Sequence, residues 1–376
     1  MKVLFVATVV ETHIMEFHLP YLKMFKDMGW ETSVAARNDY ANPADCVIPF
    51  CDKYYDIQFE RNPAKPGNIK AYRQLKRLIE EESFDIIHCN TPVGGAIGRL
   101  AAAKARKNGC KVFYTAHGFH FYKGASPLNW IAFYPVERLL AHLTDVLITI
   151  TTEDYKRAKS FKAGSVEYVP GVGVDVSKFA KGSKGRSLEL RRELGIPEDA
   201  YVWLSVGEVN KNKNHGVVIE SMADFSDVWY VLCGRGPLLD TLKERAKTLG
   251  IADRTVFAGY RNDIADFYKM ADLFIFPSWR EGLPVALMEA MATGLKCIAS
   301  RNRGTNDLLP DSALRFDPGN IEELKEKIKR AMSADCSEEI NRNIERLKTF
   351  DIHNVLEITR KLYLKAIGNE STADSV

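Results

Sequence analysis

The sequence lacks several features that would place it in common functional classes. No apolar run approaches the roughly 18 residues that a membrane-crossing helix needs. No GxGxxG turn follows the first predicted strand, which disfavours a nicotinamide dehydrogenase. No Asp-x-Asp pair occurs, which argues against a diphosphate held through a metal ion. The seven cysteines form no CxxC pair and no cluster with metal-ligand spacing, so we expect a reduced, cytoplasmic protein without metal or cofactor.

The charge balance excludes a further class of partner. The net charge is only +3 over 376 residues, which is too little to indicate nucleic-acid binding. The residues through Asp175 hold 22 basic and 19 acidic side chains, whereas the rest of the chain holds 30 of each. The positive excess of the first half is compatible with an anionic membrane surface or an acidic acceptor.

What the chain does contain is a regular alternation of two kinds of segment. Runs such as KVLFVATV, ETSVAAR and FDIIHCN are apolar on both faces, and amphipathic stretches such as HLPYLKMFKDMGW and AYRQLKRLIEE separate them. This order indicates parallel sheets covered by helices, an α/β fold. The start, MKVLFVATVV, lacks a small-residue cleavage site and is typical of a first strand, so we expect no export signal.

Length and one change of composition predict two domains. A chain of 376 residues exceeds the roughly 100–200 residues that one core usually organises. After Gly171 the chain becomes polar and rich in Gly, Ser and Lys, which indicates a boundary. We predict Rossmann-like, doubly wound domains over 1–171 and 172–350, and a helix over 351–376 that returns to the first domain and ends in a polar tail. Two such domains would face each other across a cleft, with ligands beyond the carboxyl ends of the strands.

The most informative segment is DLFIFPSWREGLPVALMEAMATG. It predicts a buried strand ending at Pro277, a short loop, and a helix that begins near Leu283 with Pro284 in its first turn. The free amides at that helix start suit a diphosphate or sugar oxygens. Glu281 and Glu289 flank this anion site, so they are better hydroxyl acceptors than phosphate ligands. The alternative is a solvated helix face, but the residues around both acids are apolar.

This segment resembles the retaining glycosyltransferases of family four, which have the GT-B architecture. Glu281 and Glu289 match the family's E-x7-E signature, and KVLFVATV, TAHGFHFYKGA and SVGEVNKNKNH are similar to members that build bacterial exopolysaccharide, capsule or O-antigen. The resemblance implies transfer of a hexose or N-acetylhexosamine from a UDP-sugar to a polyprenyl diphosphate saccharide at the inner face of the membrane. It also implies front-face displacement, in which the leaving phosphate helps to deprotonate the acceptor. A UDP-sugar epimerase and a non-catalytic subunit of a polysaccharide assembly complex are the alternatives.

The resemblance also implies a set of donor-side residues. Glu281 would bind the donor sugar, Glu289 the ribose and Lys213 the phosphates, while His117 would be the active-site histidine; Lys213 could instead be a surface lysine. Catalytic assistance would come from His117, Lys213 and Glu281. The implied donor-binding residues are Gly173, Gly207, Glu208, Lys213, Tyr260, Arg261, Ile264, Glu281, Gly282, Leu283, Pro284, Val285 and Glu289.

One position departs from the family pattern. Many members have an arginine after the glycine of the VG segment, and here that position is Glu208. A carboxylate pointing inward would repel a diphosphate by a few kcal/mol, so we expect Glu208 to turn away or to pair with Lys211 or Lys213. Arg280 or Arg303 are candidates for the missing positive charge.

The acceptor side is expected in the first domain. His117 ends a predicted strand, and His120 is a neighbour that could take its place; a core or surface histidine is the alternative for His117. Segment 119–143 is either an interfacial helix, with Trp130 and Tyr134 at headgroup depth, or a buried core helix. The other polar residues that could meet the acceptor, or cap the first helix, are Glu11, His13, Glu16 and His18, with Lys123 nearby.

Overall fold

The computed structural model describes residues 1–180 and 184–368, and of Lys184 and Gly185 only the backbone. It divides into two compact units. The first holds Met1–Val172 with the described residues from His353 onward, and the second holds Gly173–Ile352. Each unit has one fully parallel sheet covered by helices, which confirms the α/β class and the two Rossmann-like sheets. No helix among the described residues is long and apolar enough to cross a membrane.

Among the residues that the structure describes, the first unit contains seven strands and seven helices. Its strands are β1 (Lys2–Val9), β2 (Glu31–Arg37), β3 (Lys53–Asp56), β4 (Ile86–Cys89), β5 (Lys111–Ala116), β6 (Val146–Thr149) and β7 (Ser165–Tyr168). Its helices are α1 (Leu19–Asp27), α2 (Gly67–Glu82), α3 (Pro92–Ala101), α4 (Ala103–Lys107), α5 (Pro127–Ala141), α6 (Thr152–Ala158) and, after the second unit, α16 (Ile352–Ala366). A π-helical turn at Val10–Met15 and a 3₁₀ turn at Pro43–Asp45 complete it.

The strand order of the first sheet locates its binding edge. The order is β3-β2-β1-β4-β5-β6-β7, so the connections run in opposite directions on either side of the β1/β4 pair. Side chains such as Leu4 and Val6 pack on one face of β1, and Val3 and Phe5 on the other, because a parallel sheet is covered on both faces. Ligands of open α/β sheets bind at such a switch point, beyond the carboxyl ends of the strands.

The second unit repeats this plan. Its strands are β8 (Tyr201–Val206), β9 (Val228–Cys233), β10 (Thr255–Gly259), β11 (Leu273–Phe276), β12 (Lys296–Ser300) and β13 (Arg315–Phe316). Its helices are α7 (Val176–Ala180), α8 (Lys184–Glu193), α9 (His215–Ser221), α10 (Leu239–Thr248), α11 (Ile264–Met270), α12 (Val285–Ala292), α13 (Arg303–Leu308), α14 (Ile321–Ser333) and α15 (Ser337–Phe350), with 3₁₀ turns at Met222–Asp224 and Ala252–Arg254. The order β10-β9-β8-β11-β12-β13 places its switch point between β8 and β11.

Two local predictions need correction. The helix after the Glu281 loop begins at Val285 and not near Leu283, because Pro284 has an extended ψ of 108° and occupies the N-cap position. The first helix is not capped by a polar side chain, because Val10–Met15 form a π-helical turn and His18 is the N-cap of α1 without a side-chain capping bond. This π-helical turn connects β1 to α1 and places Val10 and Ile14 in the core.

Candidate functional site

Two loops of the second unit carry most of the predicted donor-side residues. One follows β8 and the other follows β11, the two strands on either side of the switch point. The first loop contains Gly207, Glu208 and Lys213, and the second contains Glu281 and Gly282. The fold therefore brings together residues that are about seventy positions apart in the chain, as the parallel pairing of β8 with β11 requires.

Lys213 and Glu281 form an ion pair at this edge. The Lys213 Nζ donates to Glu281 Oε1 at 2.8 Å, with 21% and 15% of the two side chains exposed. The ammonium also lies 5.2 Å from the centre of the Phe276 ring. Arg303 Nε donates to the backbone oxygen of Glu281 at 3.0 Å. A carboxylate and a cation thus lie side by side in a partly dry setting, where charge interactions are stronger than in water.

Two asparagines of the first loop hold the second loop in place, and a third bonds within the first loop itself. Asn212 accepts from the Trp279 amide at 2.8 Å through its backbone oxygen, and its side chain donates to the Arg280 oxygen at 3.1 Å. Asn214 donates to the Pro277 oxygen at 3.3 Å, and the Asn210 side chain accepts from the Lys213 amide at 3.0 Å. These asparagines were not among the predicted site residues. Their regular spacing in VNKNKNH was the available signal, since asparagine often bonds nearby backbone.

Glu289 is fixed from a neighbouring helix. It lies just over one turn into α12, where its Oε2 accepts from the Tyr268 hydroxyl at 2.9 Å. Tyr268 is buried in α11, and burial together with the Glu289 carboxylate raises the pKa of its phenol well above the usual value, so it stays a donor. Tyr268 was not predicted, because in DIADFYKMA it is indistinguishable from a core aromatic.

The Glu281 loop also packs closely against the start of α13. A Cβ at Gly304 would lie 1.8 Å from the Gly282 oxygen and 3.0 Å from Pro284 Cδ, so only glycine fits. Asn302 and Thr305 form a capping box at the same helix end, and Asn302 Nδ2 donates to the Ser278 oxygen at 3.2 Å. The second loop is therefore held on both sides.

The structure places the remaining donor-side residues in different settings. Tyr260 is 58% exposed, with the Arg235 guanidinium 5.8 Å from its ring, while Ile264 begins α11 and packs partly buried on the core. Arg261 is neutralised by two bonds of 2.8 and 2.6 Å to Asp263, and this pairing lowers the pKa of the Asp263 carboxyl. Gly173 has φ +82°, and a Cβ there would lie 2.7 Å from the Ile352 Cα.

Glu208 is exposed at the turn that follows β8. Within residues 1–180 and 184–368 no ion pair joins it to Lys211 or Lys213, because the Lys213 ammonium is taken by Glu281. Of the two arginines considered as replacements, Arg303 lies against the Glu281 backbone, whereas Arg280 is an exposed residue of the loop itself.

In the first unit, three histidines meet at the switch point. His13 follows β1 in the π-helical turn, His18 begins α1, and His117 follows β5. The His13 and His18 Nε2 atoms are 3.2 Å apart, and the His117 ring lies 5.1 Å from the His13 ring. Burial lowers the pKa of all three, that of His117 to about 4, so the rings are neutral at physiological pH.

A cavity of ≈ 770 Å³ opens beside His13 and His117. His120 also lines it and stacks on Phe133 with ring centres 4.5 Å apart. Three charged residues that could meet an acceptor, Glu11, Glu16 and Lys123, are exposed and do not line this cavity. Most of its walls are apolar or aromatic. They are formed by residues including Val9, Pro92, Val93, Ile97, Phe119, Phe121, Ala132, Phe133 and Val136.

Helix α5 has an apolar inner face and an apolar outer face. Of the two alternatives for this segment, an interfacial helix and a buried core helix, the core alternative holds for Trp130 and Tyr134. Both pack partly buried on the core against Phe121, at 5.7 and 5.3 Å between ring centres. The outer face is apolar at helical spacing. It consists of Leu128, Ile131, Ala132, Pro135, Val136 and Leu139, of which Leu128, Ile131 and Leu139 are 76%, 73% and 70% exposed. We call this set the α5 outer face.

Comparisons with known proteins match both units of the chain to glycosyltransferases. Residues 2–151 match the family described as glycosyl transferase 4-like, and residues 187–348 match glycosyl transferases group 1. A Bacillus subtilis (strain 168) protein named as the glycosyltransferase EpsD is 41% identical over 321 residues, covering 84% of this chain and 82% of that protein. The Escherichia coli UDP-Gal:alpha-D-GlcNAc-diphosphoundecaprenol alpha-1,3-galactosyltransferase is 28% identical, covering 82% and 83%.

Solved structures with the same fold include Anabaena Alr3699/HepE in complex with UDP and glucose. That structure superposes with a TM-score of 0.81 at 18% identity, covering 97% of this chain and 100% of the other. At this identity the likeness shows the fold.

Proposed function

Because this chain belongs to the GT-B glycosyltransferases of family four that act in polysaccharide biosynthesis, we propose that it transfers a hexose or N-acetylhexosamine from a UDP-sugar to a lipid-linked saccharide with retention of configuration. The observation that carries the donor half is the Lys213–Glu281 pair at the switch point of the second unit. A nucleotide-sugar needs a cation for its diphosphate and a hydroxyl acceptor for its sugar, and this pair supplies both within 2.8 Å.

The roles of the donor-side groups follow from their chemistry. Lys213 neutralises the charge that develops on the departing diphosphate, helped by the free amides at the start of α12 and without a metal ion. Glu281 accepts from sugar hydroxyls, and Glu289, oriented by Tyr268, accepts from the ribose. Many family members have a second positive charge at the position of Glu208, and here Arg303 supplies that charge instead. In this proposal the nucleotide base binds beside Tyr260, Arg261 and Ile264.

The acceptor half rests on the cavity of the first unit. A polyprenyl diphosphate saccharide joins a sugar to a long apolar chain, and the cavity combines the polar edges of His117 and His120 with apolar and aromatic walls. The Escherichia coli relative carries a diphosphoundecaprenol substrate in its name, which supports this class of acceptor. The reaction is then a front-face displacement, in which the leaving phosphate takes the proton of the acceptor hydroxyl.

We also propose that the α5 outer face touches the inner membrane surface. Leu128, Ile131 and Leu139 expose apolar area that water solvates poorly, on the helix whose neighbouring residues line the cavity. Burying each such side chain in the acyl boundary is worth about 1.5–3 kcal/mol. A lipid-linked substrate would reach the cavity from the same side.

The decisive experiment mixes the full chain with a panel of UDP-sugars and a short-chain polyprenyl diphosphate saccharide. We expect UDP release and a new glycolipid whose anomeric configuration by NMR equals that of the donor. Glu281→Gln should lower turnover by roughly 10- to 150-fold, because a hydrogen bond to a charged acceptor contributes about 1.5–3 kcal/mol. Lys211→Met, a change in the exposed part of the same loop, is the matched control and should leave turnover unchanged.

Two results would contradict the proposal. Formation of an altered UDP-sugar or sugar from donor alone, with no glycolipid, would indicate an epimerase. Unchanged turnover in Glu281→Gln would remove the site assignment. For the membrane contact, Leu128→Glu with Ile131→Glu should abolish flotation with anionic phospholipid vesicles, whereas Leu100→Glu, on α3, should not.

A further inference from the structure

The three histidines at the switch point of the first unit, His13, His18 and His117, have the geometry of a metal site; we call them the histidine cluster. One ring nitrogen of each lies within 4.8 Å of the other two. We propose that the histidine cluster binds a divalent transition-metal ion of the zinc type. The proposal departs from the expectation of no metal, because the fold brings His117 next to His13 and His18.

The separation of the first two ligands fits such an ion. The His13 and His18 Nε2 atoms face each other at 3.2 Å. Two nitrogens bound at roughly 2.0–2.1 Å to one tetrahedral zinc are about 3.3 Å apart. In the metal-free protein, only one of the two facing Nε2 atoms can carry a hydrogen, and the other accepts it. A metal ion would lie between the two nitrogens in place of that hydrogen.

Hydrogen bonding fixes His117 in the tautomer that a ligand needs. Asn90 Nδ2 donates to the His88 backbone oxygen at 3.3 Å, so its Oδ1 is an acceptor. His117 Nε2 lies 3.2 Å from that Oδ1 and must carry the hydrogen. The lone pair is then on Nδ1. A ligating histidine whose other nitrogen donates to a side-chain or backbone oxygen is the usual arrangement at protein metal sites.

His18 can adopt the matching tautomer. Its Nδ1 is buried and has no protein partner among the described residues. A cavity of ≈ 20 Å³ lies beside it, lined by His18, His88 and Thr115 among others, and this is room for one water molecule. An Nδ1–H that donates to such a water leaves the Nε2 lone pair for the metal.

The site would keep an open position toward the larger cavity, since His13 and His117 line it. Catalytic zinc sites in enzymes can have this ligand set, with three neutral histidines and one open coordination position. Metal binding does not depend on the proposed function. One consequence does: the ion would take the Nδ1 of His117 and occupy the acceptor cavity, so it should inhibit transfer competitively with the acceptor.

The test uses the full chain after treatment with a chelator. Calorimetric titration with Zn²⁺ should give one ion per chain, and Co²⁺ should give the intense visible bands of a four-coordinate ion. His13→Gln and His117→Gln should each weaken zinc binding by at least about 100-fold, because outer-sphere changes alone cost 10- to 100-fold. His142→Gln, at an exposed histidine after α5, is the matched control and should bind as the parent does.

Thermal unfolding without metal checks that the variants fold. If a variant fails to fold, the cobalt spectrum of the parent decides the question. Zinc affinity that is unchanged in both variants, or a six-coordinate cobalt spectrum, would overturn the metal site. Tight binding without inhibition would leave the site standing and contradict the role of His117 in the proposed function.

Discussion

The sharpest prediction concerns Lys213→Met, which removes the cation of the donor site. At 2.8 Å the attraction between Lys213 and Glu281 is about 6 kcal/mol for an effective dielectric constant of 20. Most of it is offset by desolvation. Because the side chains are 21% and 15% exposed, the net loss lies between that of a surface pair and that of a buried pair, about 1–3 kcal/mol in the stability of the second unit.

The effect on UDP is separate and comes from the phosphate. Losing one charge-assisted hydrogen bond costs about 1.5–3 kcal/mol, which weakens UDP binding by roughly 10- to 150-fold. Calorimetric titration with UDP measures it, and thermal unfolding measures the stability term. Adding Glu281→Gln removes the unpaired carboxylate, so the double variant should recover stability and still bind UDP weakly.

The refuting result is therefore specific. If UDP affinity in Lys213→Met stays within about threefold of the parent, or if the double variant restores it, Lys213 only pairs with Glu281 and does not contact phosphate. Lys211→Met, in the same loop, should match the parent in both measurements.

Three further predictions follow from other contacts. Tyr268→Phe removes the 2.9 Å donor to Glu289 and should lower kcat/KM for the donor about tenfold with little change in unfolding temperature; an unchanged kcat/KM would contradict the role of Tyr268. Gly304→Ala places a Cβ 1.8 Å from the Gly282 oxygen and should abolish UDP binding in calorimetry, whereas Gly216→Ala meets only Leu242 Cδ2 at 3.6 Å and should be tolerated. Burial lowers the pKa of His215 from 6.5 to about 3, so at this site the unfolded chain binds more protons between these values. The contribution of His215 to stability should fall by about 2 kcal/mol from pH 7 to pH 5, in addition to the fall from the buried histidines of the first unit, and His215→Met should remove that share of the pH dependence in denaturant titrations.

The orientation of helix α5, which the sequence left open, was decided by the fold. Trp130 and Tyr134 looked like membrane anchors because both are aromatic and next to cations, yet they face the core and the aliphatic residues of the same helix face outward. Helical periodicity alone could not decide between the faces, since α5 is apolar on both. Trp130 and Tyr134 face inward because they pack on the aromatic rings of Phe121 and Phe161.

The sequence by itself determined the strands, most helices and the two candidate loops. Strand and helix periodicities are local, and the E-x7-E spacing of Glu281 and Glu289 is a local pattern as well. The sequence also indicated the family, because the family's motifs lie within short segments. The start of α12 was missed by two residues because Pro284 has an extended ψ and occupies the N-cap, a conformation that its ring alone does not fix.

Only the tertiary structure decided which groups meet. The pairing of Lys213 with Glu281, the donor from Tyr268 to Glu289 and the approach of His117 to His13 each join residues on different elements. Such contacts depend on strand order and on the angle of each turn, which no single window of sequence contains. The physical reason is that a hydrogen bond or metal site needs atoms placed within a few tenths of an ångström, whereas a sequence pattern specifies only which face of an element a residue occupies.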